Sequence, residues 1–128
     1  MSTILVADDN DDLRELMIIR LKEFGFSVLA AKNGLEAVQL AKSAHPLVIL
    51  MDMNMPELDG WEACCQIKRD PLVRRIPIIA LTAYSLPGDE ARANASGCDG
   101  YHAKPVDFQM LLQQIESLAP RSEKLQGQ

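Results

Sequence analysis

At 128 residues, 48% of them hydrophobic, the chain has the size of one compact domain and enough apolar material for a continuous core. A formal net charge of -5 and an isoelectric point near 4.9 read against a nucleic-acid surface, which needs a basic patch, and point to a protein partner. No apolar stretch approaches the roughly 20 residues of a membrane helix, and the amino terminus lacks a signal pattern, so a cytoplasmic protein without membrane insertion is expected. Cys64, Cys65 and Cys98 form neither an even framework nor a C-x-x-C pair, and no histidine lies at metal-ligand spacing from them. They read as reduced, structural thiols.

Short apolar runs alternate with helical patterns along the whole chain. Thr3 to Ala7 (TILVA) reads as a strand, and Leu13, Leu16, Met17, Leu21 and Phe24 then recur at helical spacing. Asn10 suits that helix's cap, Asp11 and Asp12 suit the positive end of its dipole, and Gly25 ends it. Ser27 to Ala30 follows as a short strand, Asn33 caps a helix to about Ala44, and Leu47 to Met51 (LVILM) has the unbroken apolar character of a strand buried on both faces.

After the loop MPELDG, in which Gly60 suits a tight turn, a helix is expected from about Trp61 to Arg69, and Pro77 introduces the strand Ile78 to Leu81. Pro87 and Gly88 open an alanine-rich helix that Gly97 ends. A weak strand lies near Gly100 to Ala103, and Asp107 caps a last helix to about Leu118. Five strands alternating with five helices imply an α/β fold: a doubly wound parallel sheet covered on both faces by helices. The division expected is a domain over residues 1–119 and a polar tail over 120–128.

In such a sheet, ligands gather outside the carboxyl ends of the strands. Strand one ends at Asp8-Asp9, strand three at Asp52, strand four at Thr82, and strand five just before Lys104. Each residue alone has a bland reading: solvated acids before a helix, a loop hydroxyl, a surface charge. Asp52 resists that reading, because an acid directly after VILM is costly to desolvate unless something compensates it. A cation is the natural compensation. Magnesium takes oxygen ligands and is usually held by one or two carboxylates together with a phosphate. Lys104 suits pairing with the carboxylate before reaction and with phosphoryl oxygens after it, and Thr82 suits a hydrogen bond to the same oxygens. Together they describe a carboxylate nucleophile awaiting a phosphoryl donor.

From Ile4 to about Leu118 the chain resembles the receiver domains of two-component response regulators, including the single-domain chemotaxis and cell-division types. The resemblance rests on VADDN, LMDMNMPELDG, ALTA and AKP, in that order, each after a strand. It implies a flavodoxin-like sheet of strand order 2-1-3-4-5, phosphorylation of Asp52 from a phosphohistidine donor, and a bound Mg2+, with Mn2+ as a substitute. By the same resemblance Asp9 and Asp52 ligate the ion directly, Asp8 acts through water and Asn54 contributes its backbone carbonyl. Thr82 and Lys104 contact the phosphoryl group, and Tyr101 is the aromatic switch whose side chain rotates on activation. Lys104-Pro105 resembles the family's cis peptide.

The partners implied are a sensor histidine kinase or histidine phosphotransfer protein, and a downstream protein met on the face of the fourth helix, fifth strand and fifth helix. Met1 and the short tail favour a stand-alone regulator. Tyr84 and Asn54 are expected to tune the phosphoryl lifetime. The chief rival reading is a small Mg2+-dependent phosphohydrolase that forms an aspartyl-phosphate, but its D-x-D motif here reads Asp52-Met53-Asn54, without the second acid. A flavodoxin-like electron carrier is disfavoured because the acids would repel a flavin phosphate. A purely structural adaptor is disfavoured by the complete acid, threonine and lysine set.

Overall fold

The computed structural model describes residues 2–55, 57–82 and 88–119, with Asp89 and Glu90 described by their backbone alone. Ten elements alternate: β1 (Thr3–Ala7), α1 (Asp11–Glu23), β2 (Ser27–Ala31), α2 (Gly34–Ala44), β3 (Val48–Asp52), α3 (Gly60–Arg69), β4 (Ile78–Thr82), α4 (Asp89–Ala95), β5 (Gly100–Ala103) and α5 (Phe108–Leu118). All strand pairs are parallel, in the order β2-β1-β3-β4-β5, which is the doubly wound, flavodoxin-like arrangement.

Successive strand side chains point to opposite faces, so each apolar strand feeds two cores. Leu5, Ala7, Ile49, Met51, Ile78 and Ala80 face α2 and α3. Ile4, Val6, Val48, Leu50, Ile79 and Leu81 face Met17 and Leu21 of α1 and Leu111 and Ile115 of α5. Burial on both sides explains why β3 and β4 carry unbroken apolar runs rather than alternating ones.

Local chemistry sets the helix ends. Asn10, Asn33 and Asp107 accept hydrogen bonds from the backbone N–H of Leu13, Glu36 and Met110. Asp59 does the same for Glu62, which starts α3 at Gly60, one residue before the expected Trp61. Strand β3 is shifted one residue from the expected Leu47 to Met51, so Asp52 is its last residue rather than the one beyond it. Thr82 likewise closes β4. Pro87, expected to open α4, and the tail 120–128 lie outside the described residues. Among the described residues no helix is long and apolar enough to cross a membrane.

Candidate functional site

Parallel register brings the informative strand ends together. Ala7 pairs with Met51, Asp52 with Leu81, and Thr82 with Ala103, so Asp8, Asp52, Thr82 and Lys104 stand along one edge of the sheet. One carboxylate oxygen from each of Asp8, Asp9 and Asp52 can be chosen so that all lie within 4.8 Å of one another. Asp8 and Asp52 are buried and Asp9 is exposed.

Asp8 is engaged at both oxygens, accepting from the Asn10 N–H at 2.9 Å and from Lys104 Nζ at 3.0 Å. Arg14 of α1 donates to the Asp8 backbone carbonyl at 2.9 Å and so fixes the end of β1. Lys104 Nζ also stands 3.6 Å from Asp52 Oδ1, and that same oxygen accepts from the Asn54 N–H at 3.2 Å. The Lys104-Pro105 bond is cis.

Burial pushes the Asp52 carboxyl up to about 6 and the Asp8 charge pushes the same way, against the Lys104 ammonium and the Asn54 N–H, while a hydrogen bond with Asp9 adds to the rise. Hard oxygen donors this close, on a carboxyl whose charge is disfavoured by its surroundings, suit a divalent cation of the magnesium type. The donor set therefore fits the ion the sequence implies.

Thr82 is buried at the end of β4, and its Oγ1 donates to Tyr101 Oη at 3.1 Å. The Tyr101 ring packs against the α2–α3 core. Its hydroxyl thus meets Thr82 in this conformation.

Gly60 serves a close approach and not the expected tight turn: it lies in the first turn of α3, and a Cβ there would overlap the Asp52 carbonyl and Met53 Cα. Its N–H donates to the Met53 carbonyl at 3.0 Å, while Gly34 N–H, at the start of α2, donates to the Leu58 carbonyl at 2.9 Å. The segment after Asp52 is thus pinned at both ends by helix starts.

The sequence reading also misses a half-buried link between β5 and α5. His102 Nδ1 lies 2.8 Å from Gln114 Oε1, and its Nε2 accepts from the Asp107 N–H at 3.1 Å. Gln114 Nε2 donates to the Tyr101 carbonyl at 3.0 Å. A histidine in a weak strand and a glutamine on a helix carry no local signal of pairing, and only the β5–α5 packing joins them. Tyr84 lies outside the described residues.

Known proteins share this fold. Residues 4–116 match the family model described as the response regulator receiver domain. The chain is 35% identical over 115 residues to the polar-differentiation response regulator DivK of Brucella ovis, covering 90% of this chain and 94% of that protein. The receiver domain of the sensor histidine kinase PA1611 from Pseudomonas aeruginosa, solved with a magnesium ion coordinated in its active site cleft, superposes with a TM-score of 0.85 at 33% identity, over 91% of this chain and 96% of that one. A Saccharomyces cerevisiae receiver domain, that of the response regulator Ssk1 solved with the histidine phosphotransfer protein Ypd1, gives a TM-score of 0.84 at 30% identity over 92% and 88% of the two chains. The fold, the acidic strand ends and these matches lead to one assignment: the chain belongs to the response regulator receiver domain family of two-component signalling proteins.

Proposed function

We propose that this domain is the phosphoacceptor switch of a two-component or phosphorelay system in the cytoplasm, phosphorylated on Asp52. The observation that carries this reading is the placement of Asp52, buried at the end of β3 with Lys104 at 3.6 Å and Asp8 and Asp9 beside it. The donor is a phosphohistidine on a sensor histidine kinase or a phosphotransfer protein, as the Ypd1–Ssk1 pairing of the yeast relative suggests.

Asp9, Asp52 and the Asn54 backbone carbonyl would hold Mg2+, or Mn2+ in its place, with Asp8 acting through water; the ion supplies charge neutralisation for the incoming phosphoryl oxygens. A carboxylate oxygen of Asp52 forms the new P–O bond as the P–N bond of the phosphohistidine breaks, and the electron pair leaves with the imidazole nitrogen. Lys104 pairs with the added negative charge, and the Thr82 hydroxyl turns to a phosphoryl oxygen. Water later hydrolyses the acyl phosphate, so the chemistry is self-directed and the chain acts on no separate substrate.

Because Thr82 is hydrogen-bonded to Tyr101, recruiting its hydroxyl disturbs β5 and the adjoining surface of α4 and α5, where a downstream protein is met. The test is labelling from acetyl phosphate with and without magnesium. The parent takes up label only with the ion, and Asp52→Asn takes up none while keeping its circular dichroism spectrum. Equal labelling of the two chains would remove Asp52 from the role. Continuous release of phosphate from unrelated phosphomonoesters would favour the phosphohydrolase reading instead.

A further inference from the structure

Away from the acidic edge, α3 meets the connection between α4 and β5 along a tightly held seam. Lys68 Nζ donates to the carbonyls of Arg74 and Ile76 at 3.1 and 2.8 Å and to Asp99 Oδ2 at 2.8 Å. Asp99 Oδ2 also accepts from the Ile78 N–H at 2.9 Å, tying the seam to the start of β4. Gly97, at φ +94, is so close that a Cβ there would press on Lys68 Cγ.

Within this seam, one helical turn before Lys68, Cys64 Sγ lies 3.0 Å from Cys98 Sγ and 3.3 Å from the Ser96 carbonyl. Neither thiol is bonded to another, and both are buried. We propose that Cys64 and Cys98 are a peroxide-responsive dithiol that closes to an intrachain disulfide, joining α3 to the α4–β5 connection.

The geometry asks for little movement. A disulfide needs sulfurs near 2.05 Å, so the pair must close by roughly 1 Å. The lysine and aspartate beside it already hold the two backbone segments in register. One S–H cannot serve two acceptors at once. While both thiols are protonated, Cys64 can donate to Ser96 and Cys98 to Cys64. Once Cys98 loses its proton, Cys64 can turn its S–H to the Cys98 thiolate. That hydrogen bond holds the Cys98 thiol below its ordinary range, and the same contact, with burial, pushes Cys64 up. Cys98 also keeps a narrow exposure of 8%, whereas Cys64 has none.

Roles follow from this asymmetry. The Cys98 thiolate attacks one peroxide oxygen, the O–O bond breaks, and Cys98 becomes a sulfenic acid as the other oxygen leaves as hydroxide and takes up a proton. Cys64 sulfur then displaces the sulfenic oxygen, which departs as water, and the Cys64 proton is lost in the same step. The sum is two thiols and one hydrogen peroxide giving one disulfide and two waters. Cys64 needs no contact with the oxidant, because its target is the neighbouring sulfur.

The test treats the whole folded chain with a modest excess of hydrogen peroxide, quenches with catalase, and counts thiols in denaturant. The chain has three cysteines, so the titre should fall from three to one and return to three with dithiothreitol. Because Cys64 and Cys65 are adjacent, Cys65→Ser is run alongside: its titre should fall from two to none, with a Cys64–Cys98 linked peptide in the non-reducing digest. Retention of all thiols, linkage through Cys65, covalent dimers on a non-reducing gel, or thiol loss that dithiothreitol does not restore would each overturn the proposal.

Discussion

Lys104 makes its short contact with Asp8, at 3.0 Å, and stands farther from Asp52, at 3.6 Å. The ammonium thus compensates the acidic cluster as a whole and competes with any divalent ion for it. Lys104→Met is expected to bind magnesium roughly three- to tenfold more tightly than the parent, as loss of a worthwhile charge pair implies. Phosphoryl uptake should nevertheless slow. Magnesium titration followed by the single tryptophan, Trp61, one residue beyond Gly60, checks the first effect, and acetyl phosphate labelling checks the second.

The raised Asp52 carboxyl makes the metal-free fold sensitive to pH. Its folded value of about 6 lies above the unfolded 3.8, so the folded chain binds the extra proton between them. The associated stability is fully present below about pH 4 and is lost as pH rises through about 6. Urea unfolding at pH 4.5 and 7.5 in a chelator is expected to show this loss at Asp52, and Asp52→Asn should remove that part of the dependence. Magnesium at pH 7.5 should restore stability to the parent more than to the variant.

Gly60→Ala is expected to destabilise the fold by about 1–3 kcal/mol, the usual result of forcing an extra carbon into a packed contact. The obstacle is backbone, the Asp52 carbonyl and Met53 Cα, and cannot rotate away. Urea melts measure the loss, and phosphoryl uptake at temperatures where the variant is still folded should also fall, because the clash displaces the acceptor's own backbone. Gly88→Ala, where a Cβ meets nothing within 4 Å but φ is +92, serves as the comparison for a purely conformational penalty.

Thr82 and Tyr101 share one hydrogen bond at 3.1 Å, and a phosphoryl group that recruits the Thr82 hydroxyl must redirect it. Tyr101→Phe should lower stability by about 0.5–1.5 kcal/mol. With a beryllium fluoride mimic, NMR shifts at Tyr101, α4 and α5 should be clear in the parent and much reduced in Thr82→Ala. Undiminished shifts in that variant would show that the coupling runs elsewhere.

The strand ends are legible in the sequence to within one residue, because the apolar runs VILM and IIAL of doubly buried strands stop just before Asp52 and Thr82, the polar residues that close β3 and β4. Caps at Asn10, Asn33 and Asp107 are equally local. What escapes is long-range pairing. Cys64 and Cys98 are 34 positions apart, and only the seating of α3 against the α4–β5 connection brings their sulfurs together. Gly60 is misread as a turn residue because the sequence shows a glycine after Asp59 but not the β3 backbone it must clear. The preference of Lys104 for Asp8 is invisible for the same reason, since neighbouring acids at a strand edge differ only in where each side chain lands.

The double pinning after Asp52, Gly60 N–H on the Met53 carbonyl and Gly34 N–H on the Leu58 carbonyl, also governs which changes of chain length the protein can absorb. Surface connections ordinarily accept inserted residues at small entropic expense. Here a single residue added between Leu58 and Asp59 must either break the Gly34 bond or push Gly60 off the Asp52 backbone. The turn between α1 and β2 is held differently: Gly25 N–H and Phe26 N–H return to the Lys22 and Leu21 carbonyls of the helix just ended, and a Cβ on Gly25 would meet nothing within 4 Å. An insertion at the α1–β2 turn should therefore disturb only a local helix end, whereas one beside Asp52 should loosen two elements at once, making the length of that segment as much a constraint as the identity of its residues.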